Sequence, residues 1–493
     1  MTKTLAVPSA ASSSTADRDR WIALIVLCAG FLMIILDQTI VNVALPSIQS
    51  DLGFSQSSLA WVVNAYLIAF GGLLLLAGRI GDLVGRKRVF LTGLVVFTLA
   101  SVLCGVAQTQ AMLIGARFLQ GVGGALGSAV ILGMIVTMFP KPADQAKAIG
   151  VYSFVASAGA SIGLLAGGAL TEAINWHWIF FVNVPIGVAT VVAAVRLLDQ
   201  DEGIGLERGA DVPGALLIVS SLMLGVYTIV GATEHGWGSA RTLGLGAVAL
   251  ALLAGFIARE ATAEQPLVPL RIFRVRTVTV SNLILALMVS GMFGMFFLGA
   301  LYLQRVLGYD SIEVGLAFLP VALAIGTLSL RFTAQLTMRF GAKAVLVPGL
   351  ALVTAGLMLF ARVPVDGTYL TDLFPAMLLI GVGAGLIFPS IMALAMSGAS
   401  QSDSGLASGL VNTTMQVGGA LGLAVLATLS SGRTDTLLSD GEGTASALTG
   451  GYHLAFGVGA VLVATALFVA VALLPRREAI EPAPEMDLAE DPA

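Results

Sequence analysis

Charged residues are scarce in this chain of 493 residues: Asp, Glu, Lys and Arg together make up only 11% of it. Soluble domains carry about 25% charged residues. Hydrophobic residues account for 57%, and the mean hydropathy is +0.94. This composition excludes an ordinary soluble domain and predicts an all-α polytopic membrane protein whose apolar surface faces the lipid bilayer. The formal net charge of −4 indicates no particular partner, and we expect no nucleic-acid partner.

Histidine and cysteine are also scarce. Three histidines (His177, His235, His453) lie far apart, so the sequence predicts no metal site. Cys28 and Cys104 both fall in apolar runs, which indicates packing residues rather than a disulfide. No Gly-x4-Gly-Lys-Ser/Thr string occurs, so the chain does not energise itself with ATP in that way. With no His pair, zinc-like spacing or soluble catalytic domain, we expect neither an enzyme nor a cofactor.

Both ends of the chain differ from the rest. Residues 1–20 are polar and rich in Ser, Thr and Ala, and they lack the apolar stretch of a secretory signal. We therefore expect a disordered cytoplasmic N-terminus and a first membrane span that is retained. Residues 475–493 are acidic and contain proline, which predicts a disordered cytoplasmic tail.

Apolar stretches long enough to cross the hydrocarbon of a bilayer recur along the chain. They predict fourteen membrane-spanning helices. The predicted spans are 21–45, 59–77, 89–107, 110–136, 148–170, 177–198, 213–232, 241–259, 277–302, 312–333, 343–361, 373–397, 405–429 and 453–474.

The distribution of Lys and Arg predicts the orientation. If the N-terminus is cytoplasmic, 19 of these residues fall on the inner side and 4 on the outer side. This bias follows the positive-inside rule. We therefore expect a multi-pass protein of the cell (plasma) membrane with both termini in the cytoplasm.

Two short strings recur and indicate an internal repeat. LVGRKRVFLTG (83–93) matches RFGAKAVLVPG (339–349) at an offset of 256, and GVGGAL (121–126) matches GVGAGL (381–386) at an offset of 260. The repeat predicts two six-helix bundles in the same orientation, with a substrate site between them. The predicted boundaries are 21–200 for the N-terminal bundle, 201–276 for the inserted helices 7 and 8 with their flanking loops, and 277–474 for the C-terminal bundle.

Asp37 is the only formal charge in the apolar run Trp21–Ala44. A carboxylate within hydrocarbon is costly, so it indicates an ion or substrate pathway. The alternative is a carboxyl group satisfied by a neighbouring helix. At 1.5 Å per residue, Asp37 lies about 24 Å from the inner end of its span, or about 6 Å below the outer edge. Arg117, in the fourth span, lies about 9 Å below the same edge. A pair between these two residues is therefore permitted.

Four strings resemble known motifs. GRIGDLVGRKRVFLTG (78–93) closely resembles the signature loop of the major facilitator superfamily, and LDQTIVNVALPSI (36–48) resembles a first-span motif of its 14-span drug:proton antiporters. ARFLQGVGGAL (116–126) and WHWIFFVNVPIG (176–187) resemble motifs of the fourth and sixth spans. The residues that match the signature loop are Gly78, Asp82, Gly85, Arg86 and Lys87.

The resemblance implies the major-facilitator fold, with fourteen transmembrane helices. It implies a proton-coupled exporter of drugs, antibiotics or toxic metabolites that works by alternating access. The transported partner would be an amphipathic or cationic small molecule, and the energy source would be the proton gradient rather than a cofactor. The alternative on the same scaffold is a carrier of another solute, such as a sugar, amino acid or nutrient.

The resemblance also implies roles for single residues. The signature loop would act as a conformational switch in which Asp82 and Arg86 pair with each other and with the other half. From its residues alone, this loop is also consistent with a purely topogenic basic turn. Asp37 and Arg117 would couple transport to protons, with Asp37 alternating between a protonated state and an Arg117-paired state. A cationic or polar substrate can compete for the same carboxylate.

The fifth span carries GASIGLLAGG (159–168). Its small residues Gly159, Gly163, Gly167 and Gly168 predict close helix packing. Proton-coupled exporters of the superfamily typically have a Gly-Pro pair here, whereas this chain has Leu164 in place of the proline. Packing alone and a role in export direction both fit the glycine pattern.

Four uncharged polar residues in apolar spans are candidates for the substrate cavity. Asn412 and Gln416, four residues apart, share one face of the thirteenth span. Asn42 and Gln120 lie in the first and fourth spans. Each can line a cavity or form hydrogen bonds between helices.

Overall fold

The computed structural model describes residues 10–205, 209–397 and 404–474. Across these ranges the chain is helical and contains no strand, which confirms the predicted all-α class. The predicted tail 475–493 lies outside the described residues.

The N-terminal half contains the first six predicted spans. The fourth is built from two consecutive helices, and so is the sixth. The helices are α1 (Ala10–Leu52), α2 (Trp61–Val84), α3 (Arg86–Gly105), α4 (Gln110–Ala129), α5 (Ile131–Met138), α6 (Pro142–Ala173), α7 (Trp178–Phe181) and α8 (Asn183–Leu197).

An inserted pair of helices and a second half follow. The inserted helices are α9 (Val212–His235) and α10 (Ala240–Thr262). The second half contains α11 (Arg276–Arg305), α12 (Ser311–Thr327), α13 (Thr333–Phe340), α14 (Ala342–Phe360), α15 (Phe374–Ser397), α16 (Ser404–Ser439) and α17 (Thr444–Leu473). A π-helical turn, Leu328–Phe332, joins α12 to α13.

Thirteen stretches of the described chain are long and apolar enough to cross a membrane. The fifth predicted span corresponds to α6, which is not one of these thirteen. Its part Ile162–Ala173 is apolar but shorter than a full span. Counted together with α6, these stretches are broadly consistent with the predicted fourteen spans.

The described part of segment 1–20, which we predicted to be disordered, is helical. Helix α1 begins at Ala10, well before the apolar run that starts at Trp21. No proline or glycine occurs between these two residues. Nothing in the local sequence therefore prevents the helix from beginning before the apolar run begins.

The two halves meet along two seams. Helix α2 packs on α16, and α6 packs on α12. The second helix of each half thus packs on the fifth helix of the other half, as expected for two parallel copies of one unit. Inserted helix α9 packs on both α2 and α16, and α10 packs on α9. The inserted pair therefore covers the α2–α16 seam.

The bundle has two ends, which we call the Gly85 end and the Gly53 end after the turns that α2 connects. Near the Gly53 end, hydrogen bonds join the two halves. Gln56 Nε2 donates to Ser430 Oγ (3.3 Å), and Gln304 Nε2 donates to the carbonyl of Val43 (3.0 Å). The halves are therefore held together at this end.

The repeated lysines perform the same structural task in both halves. Lys87 Nζ donates to the carbonyls of Val195 (3.1 Å) and Leu198 (2.5 Å), at the end of α8. Lys343 Nζ donates to the carbonyl of Val471 (2.9 Å) and to that of Leu474 (2.5 Å), at the end of α17. Each lysine satisfies carbonyls that a helix end leaves unpaired. The internal repeat is therefore present in contacts as well as in sequence.

Replacing either lysine by methionine should destabilise the protein by about 1–3 kcal/mol, because a hydrogen-bonded charge is lost and carbonyls are left unpaired. We expect similar decreases in thermal stability for Lys87→Met and Lys343→Met in detergent. Arg88→Met is the matched control, since Arg88 is exposed and its hydrogen bond to the Val84 carbonyl is long, at 3.4 Å. An equally large effect of Arg88→Met would mean that general charge loss is responsible.

Candidate functional site

Asp37 and Arg117 meet inside the N-terminal half. Arg117 Nη1 lies 2.6 Å from Asp37 Oδ2, and the two residues are 1% and 0% exposed. Asp37 comes from the middle of α1 and Arg117 from the second turn of α4. The pair permitted by the depth of each residue is therefore formed.

The other carboxylate oxygen of Asp37 accepts two further hydrogen bonds. Gln120 Nε2 donates to Oδ1 at 2.7 Å, and Asn183 Nδ2 donates to the same atom at 2.9 Å. Gln120 Nε2 also donates to Ser101 Oγ (2.8 Å), while Gln120 Oε1 accepts from Arg117 Nη1 (2.6 Å). These residues are all buried and come from α1, α3, α4 and α8. Donors from helices α4 and α8 therefore surround the Asp37 carboxyl group.

The guanidinium of Arg117 is fixed by contacts beyond Asp37. Its Nε donates to the carbonyl of Val62 at 2.9 Å. Its Cζ lies 4.4 Å from the centre of the Tyr66 ring and 5.7 Å from that of Phe180. Both distances are within the range of cation–π attraction. Arg117 therefore retains favourable contacts when its bond to Asp37 is broken.

This geometry links a proton to the position of an arginine. A proton on Asp37 would remove the negative charge that neutralises Arg117 and leave a buried cation without its counter-ion. Protonation of Asp37 and the present position of Arg117 thus oppose each other. A group of this kind can convert proton binding into a movement of side chains.

Asn183, Ser101 and Tyr66 are parts of this site that the sequence reasoning did not single out. Asn183 carried a signal, because it is the polar residue within the apolar string FFVNVPIG. Ser101 and Tyr66 carried none, since both residue types are common in membrane helices without a functional role.

The loop at the Gly85 end contains a second ion pair. Arg86 Nη2 lies 3.0 Å from Asp82 Oδ1. Arg86 Nη1 donates to the carbonyl of Gly133 and to Thr137 Oγ1, both at 3.0 Å. The expected pair between Asp82 and Arg86 is present. Among the described residues, the Arg86 side chain forms hydrogen bonds only with residues of the N-terminal half. The expected contact with the other half is not among these bonds.

The start of α3 is capped by Asp201, which follows α8. Its two carboxylate oxygens accept from the backbone N–H groups of Arg86 (2.6 Å) and Lys87 (3.0 Å). A carboxylate is favoured at a helix N-terminus. Gly85 has φ = 103°, and a methyl group on it would lie 2.7 Å from the carbonyl oxygen of Asp201. Gly85 is therefore required by both conformation and space, whereas a methyl group on Gly78 would meet no atom within 4 Å.

Comparison with known proteins decides the family. Residues 27–423 match the family described as Major Facilitator Superfamily. This chain belongs to the Major Facilitator Superfamily. The resemblance carried by the Gly78–Gly93 loop is thus confirmed, and the protein is a multi-pass membrane transporter of this superfamily.

Relatives within the superfamily have names that refer to antibiotics. The chain is 40% identical to the puromycin resistance protein pur8 of Streptomyces alboniger, over 97% of this chain and 96% of that protein. It is 37% identical to the cephamycin export protein CmcT of Amycolatopsis lactamdurans, over 92% of each. A solved structure, of a bacterial homologue of the human lysosomal transporter Spinster, has the same fold. Its TM-score is 0.68 at 17% identity, and the match covers 94% of this chain and 99% of that one.

The glycines of α6 mediate its packing in this Major Facilitator protein. Methyl groups on Gly159, Gly163 and Gly167 would lie against α1, and one on Gly168 would lie 2.5 Å from the carbonyl oxygen of Ser311 in α12. Three of these glycines therefore hold α6 against its own half, and the fourth holds it against the other half. Helix α6, which has Leu164 in place of the proline, runs from Pro142 to Ala173.

Gln120 does not line a cavity in this structure. It is fully buried, and both its amide nitrogen and its oxygen are hydrogen-bonded within the Asp37 network. The cavity interpretation is therefore corrected to hydrogen bonding between helices. The physical reason is the carboxylate of Asp37, which the amide of Gln120 helps to satisfy.

The other three cavity candidates lie in two kinds of surroundings. Asn42 and Asn412 are partly exposed, and each donates to the carbonyl four residues earlier in its own helix. Gln416 is 4% exposed, its Cβ lies against Gly71 of α2, and its Oε1 has no hydrogen-bond partner among the described residues. Asn42 and Asn412 thus remain candidates for contact with a substrate, whereas Gln416 belongs to the α2–α16 seam.

Asn64 is a further buried amide on the same seam. It lies seven residues before Gly71 on α2 and therefore on the same helical face. It is fully buried, and in the part of the chain that the structure describes neither its Oδ1 nor its Nδ2 has a hydrogen-bond partner. The seam thus holds two amide side chains that are not fully satisfied.

Proposed function

We propose that this Major Facilitator protein exports antibiotics or other toxic drug-like compounds in exchange for protons. The names of the relatives, which refer to resistance and export, support the substrate class. The observation that carries proton coupling is the buried pair between Asp37 and Arg117, with its bond of 2.6 Å. We place the protein in the cell membrane, with both termini in the cytoplasm.

The proposed coupling step is an exchange of partners at Asp37. In one state Arg117 neutralises the ionised carboxylate, and in the other a proton takes over this task. Asp37 is fully buried, so a cationic substrate would act on the pair from a distance instead of binding the carboxylate. Gln38 offers a link from the site towards accessible surface, since it is partly exposed and its Nε2 lies 3.5 Å from the hydroxyl of Tyr66.

The proposed transport cycle is alternating access between the two halves. The excess of Lys and Arg makes the Gly85 end cytoplasmic. The hydrogen bonds Gln56–Ser430 and Gln304–Val43 then close the outer end of the bundle. In this cycle, export requires these two bonds to break.

Transport in inverted membrane vesicles tests the function. Vesicles that contain the protein should take up puromycin or a related compound when a proton gradient is imposed, and a protonophore should abolish uptake. A sugar and an amino acid in the same panel test the alternative substrate classes. Uptake that persists after the gradient has collapsed would refute proton coupling, and uptake of the sugar or amino acid alone would refute drug export.

A further inference from the structure

Two carboxyl groups come together at the base of the inserted helices, far in sequence from Asp37. Asp211 precedes α9 and Glu260 lies in the last turn of α10, and each residue is 3% exposed. Asp211 Oδ1 accepts from the backbone N–H of Gly214 (3.1 Å) and from Arg259 Nε (3.0 Å). Glu260 Oε2 accepts from the backbone N–H of Val268 (2.8 Å). One oxygen of each carboxyl group is thereby satisfied.

Within the described ranges, the second oxygen of each carboxyl group is buried and has no hydrogen-bond partner. These atoms are Asp211 Oδ2 and Glu260 Oε1. Both face the same small space beside Gly214, since a methyl group on that glycine would lie 2.5 Å from the first and 3.2 Å from the second. Ionised carboxylates are acceptors only. Two acceptors beside the same space without a donor are unfavourable, and two buried carboxylates that share a site do not both ionise readily.

Among the described residues, the ion pair formed by these two carboxyl groups involves Asp211 and Arg259. Arg259 of α10 bonds Asp211, but its own side chain is 45% exposed. Arg79 of α2 donates to the carbonyl of Gly209 and to Gln265 Oε1, on the two chain segments beside the pair. Glu264, in the segment after α10, is exposed. A proton on one carboxyl group would supply the missing donor and remove the excess negative charge.

We propose that Asp211 and Glu260 bind one proton between them and form a second proton-binding site, separate from Asp37. In this pair a protonated carboxyl group donates to the ionised one, so both buried oxygens are satisfied by a single proton. Loss of the proton would leave two buried negative charges close together beside Arg259.

The position of the pair means that binding or loss of the proton affects a neighbouring segment of the chain. Glu260 holds the segment 263–275 through the N–H of Val268. The apolar residues Leu267, Val268 and Ile272 of this segment share a buried cluster with Leu76 of α2 and Leu410 of α16. The segment therefore lies across the seam between the halves. The proton holds this segment in place, and its loss loosens a contact that spans both halves.

Infrared spectroscopy of the purified protein, without substrate or gradient, tests the shared proton. At neutral pH we expect a C=O stretching band from a protonated carboxyl group that shifts in heavy water. Glu260→Gln should remove this band, whereas Glu264→Gln, the matched control in the exposed part of the segment, should not. Asp37→Asn should also leave the band in place, so the result does not depend on the proposed export mechanism.

The pH dependence of thermal stability provides a second test. The bound proton stabilises the folded protein at low pH, and this contribution is lost as the pH rises. The melting temperature of the wild type should therefore fall by a few degrees more than that of Glu260→Gln between mildly acidic and mildly alkaline pH. The glutamine amide can donate to Asp211 at any pH, so this variant should retain the clamped segment.

Two results would overturn the proposal. One is a spectrum in which Glu260→Gln removes no carboxyl band, together with equal pH slopes for wild type and variant. The other is an alkaline stability that depends on an added metal cation and is abolished by a chelator, because the two oxygens would then bind a metal instead of a proton.

Discussion

Replacement of Asp37 by Asn should reduce gradient-driven export to the level of vesicles without the protein. An amide binds no proton in the physiological range, so the exchange of partners at this position cannot occur. Arg117 would keep its bonds to Gln120 Oε1 and the Val62 carbonyl and its contact with the Tyr66 ring. We therefore expect a folded protein that has lost its coupling to protons.

Exchange of labelled substrate without a gradient separates loss of coupling from loss of folding. The Asp37→Asn variant should still catalyse this exchange, because the halves can alternate without net proton movement. Asp51→Asn is the matched control: it makes the same change on the same helix, at a side chain that is 55% exposed. Full gradient-driven export by the Asp37 variant, or equal loss in the Asp51 variant, would contradict the proposed role.

Replacement of Arg117 by Met should destabilise the protein by about 3–5 kcal/mol, since removal of one partner leaves a buried charge uncompensated. The second change, Asp37→Asn, should restore most of this stability. The double variant then contains only neutral side chains at the two positions, and such replacements of buried ion pairs are often close to neutral. Transport should remain absent in both variants.

Thermal unfolding in detergent measures this cycle of single and double variants. The expected sign is a large favourable coupling, with the double variant more stable than Arg117→Met alone. A double variant as unstable as the Arg117→Met single variant would show that the arginine stabilises the fold through Val62, Tyr66 and Phe180 and not through Asp37. In that case the ion pair itself would contribute little to stability.

The sequence predicted the charged part of the site because charges in apolar spans are costly and therefore conspicuous. Asp37 and Arg117 stood out for this reason, and their depths along two helices indicated a pair. Uncharged polar residues carry a smaller cost, so their roles were ambiguous. Gln120 was a candidate for a cavity and is instead a partner of Asp37, and Asn183 was not singled out at all.

The positions of the helices could be predicted from the lengths of the apolar runs, but contacts between distant segments could not. The start of α1 at Ala10 lies outside the apolar run, where hydropathy carries no signal. Asp201 caps α3 across more than a hundred residues, and the pair Asp211–Glu260 forms only because α9 and α10 pack side by side. Such pairings depend on the fold and leave no periodic pattern in the sequence.

The unsatisfied amides of Asn64 and Gln416 bear on how easily the halves exchange arrangements. Each buried polar group without a partner costs about 1–3 kcal/mol, and water would relieve this cost when the α2–α16 seam opens. The α2–α16 seam is thus less stable than a fully apolar seam of the same area. An equilibrium balanced in this way needs only a small differential binding energy, from a proton or a substrate, to change which side of the membrane is accessible.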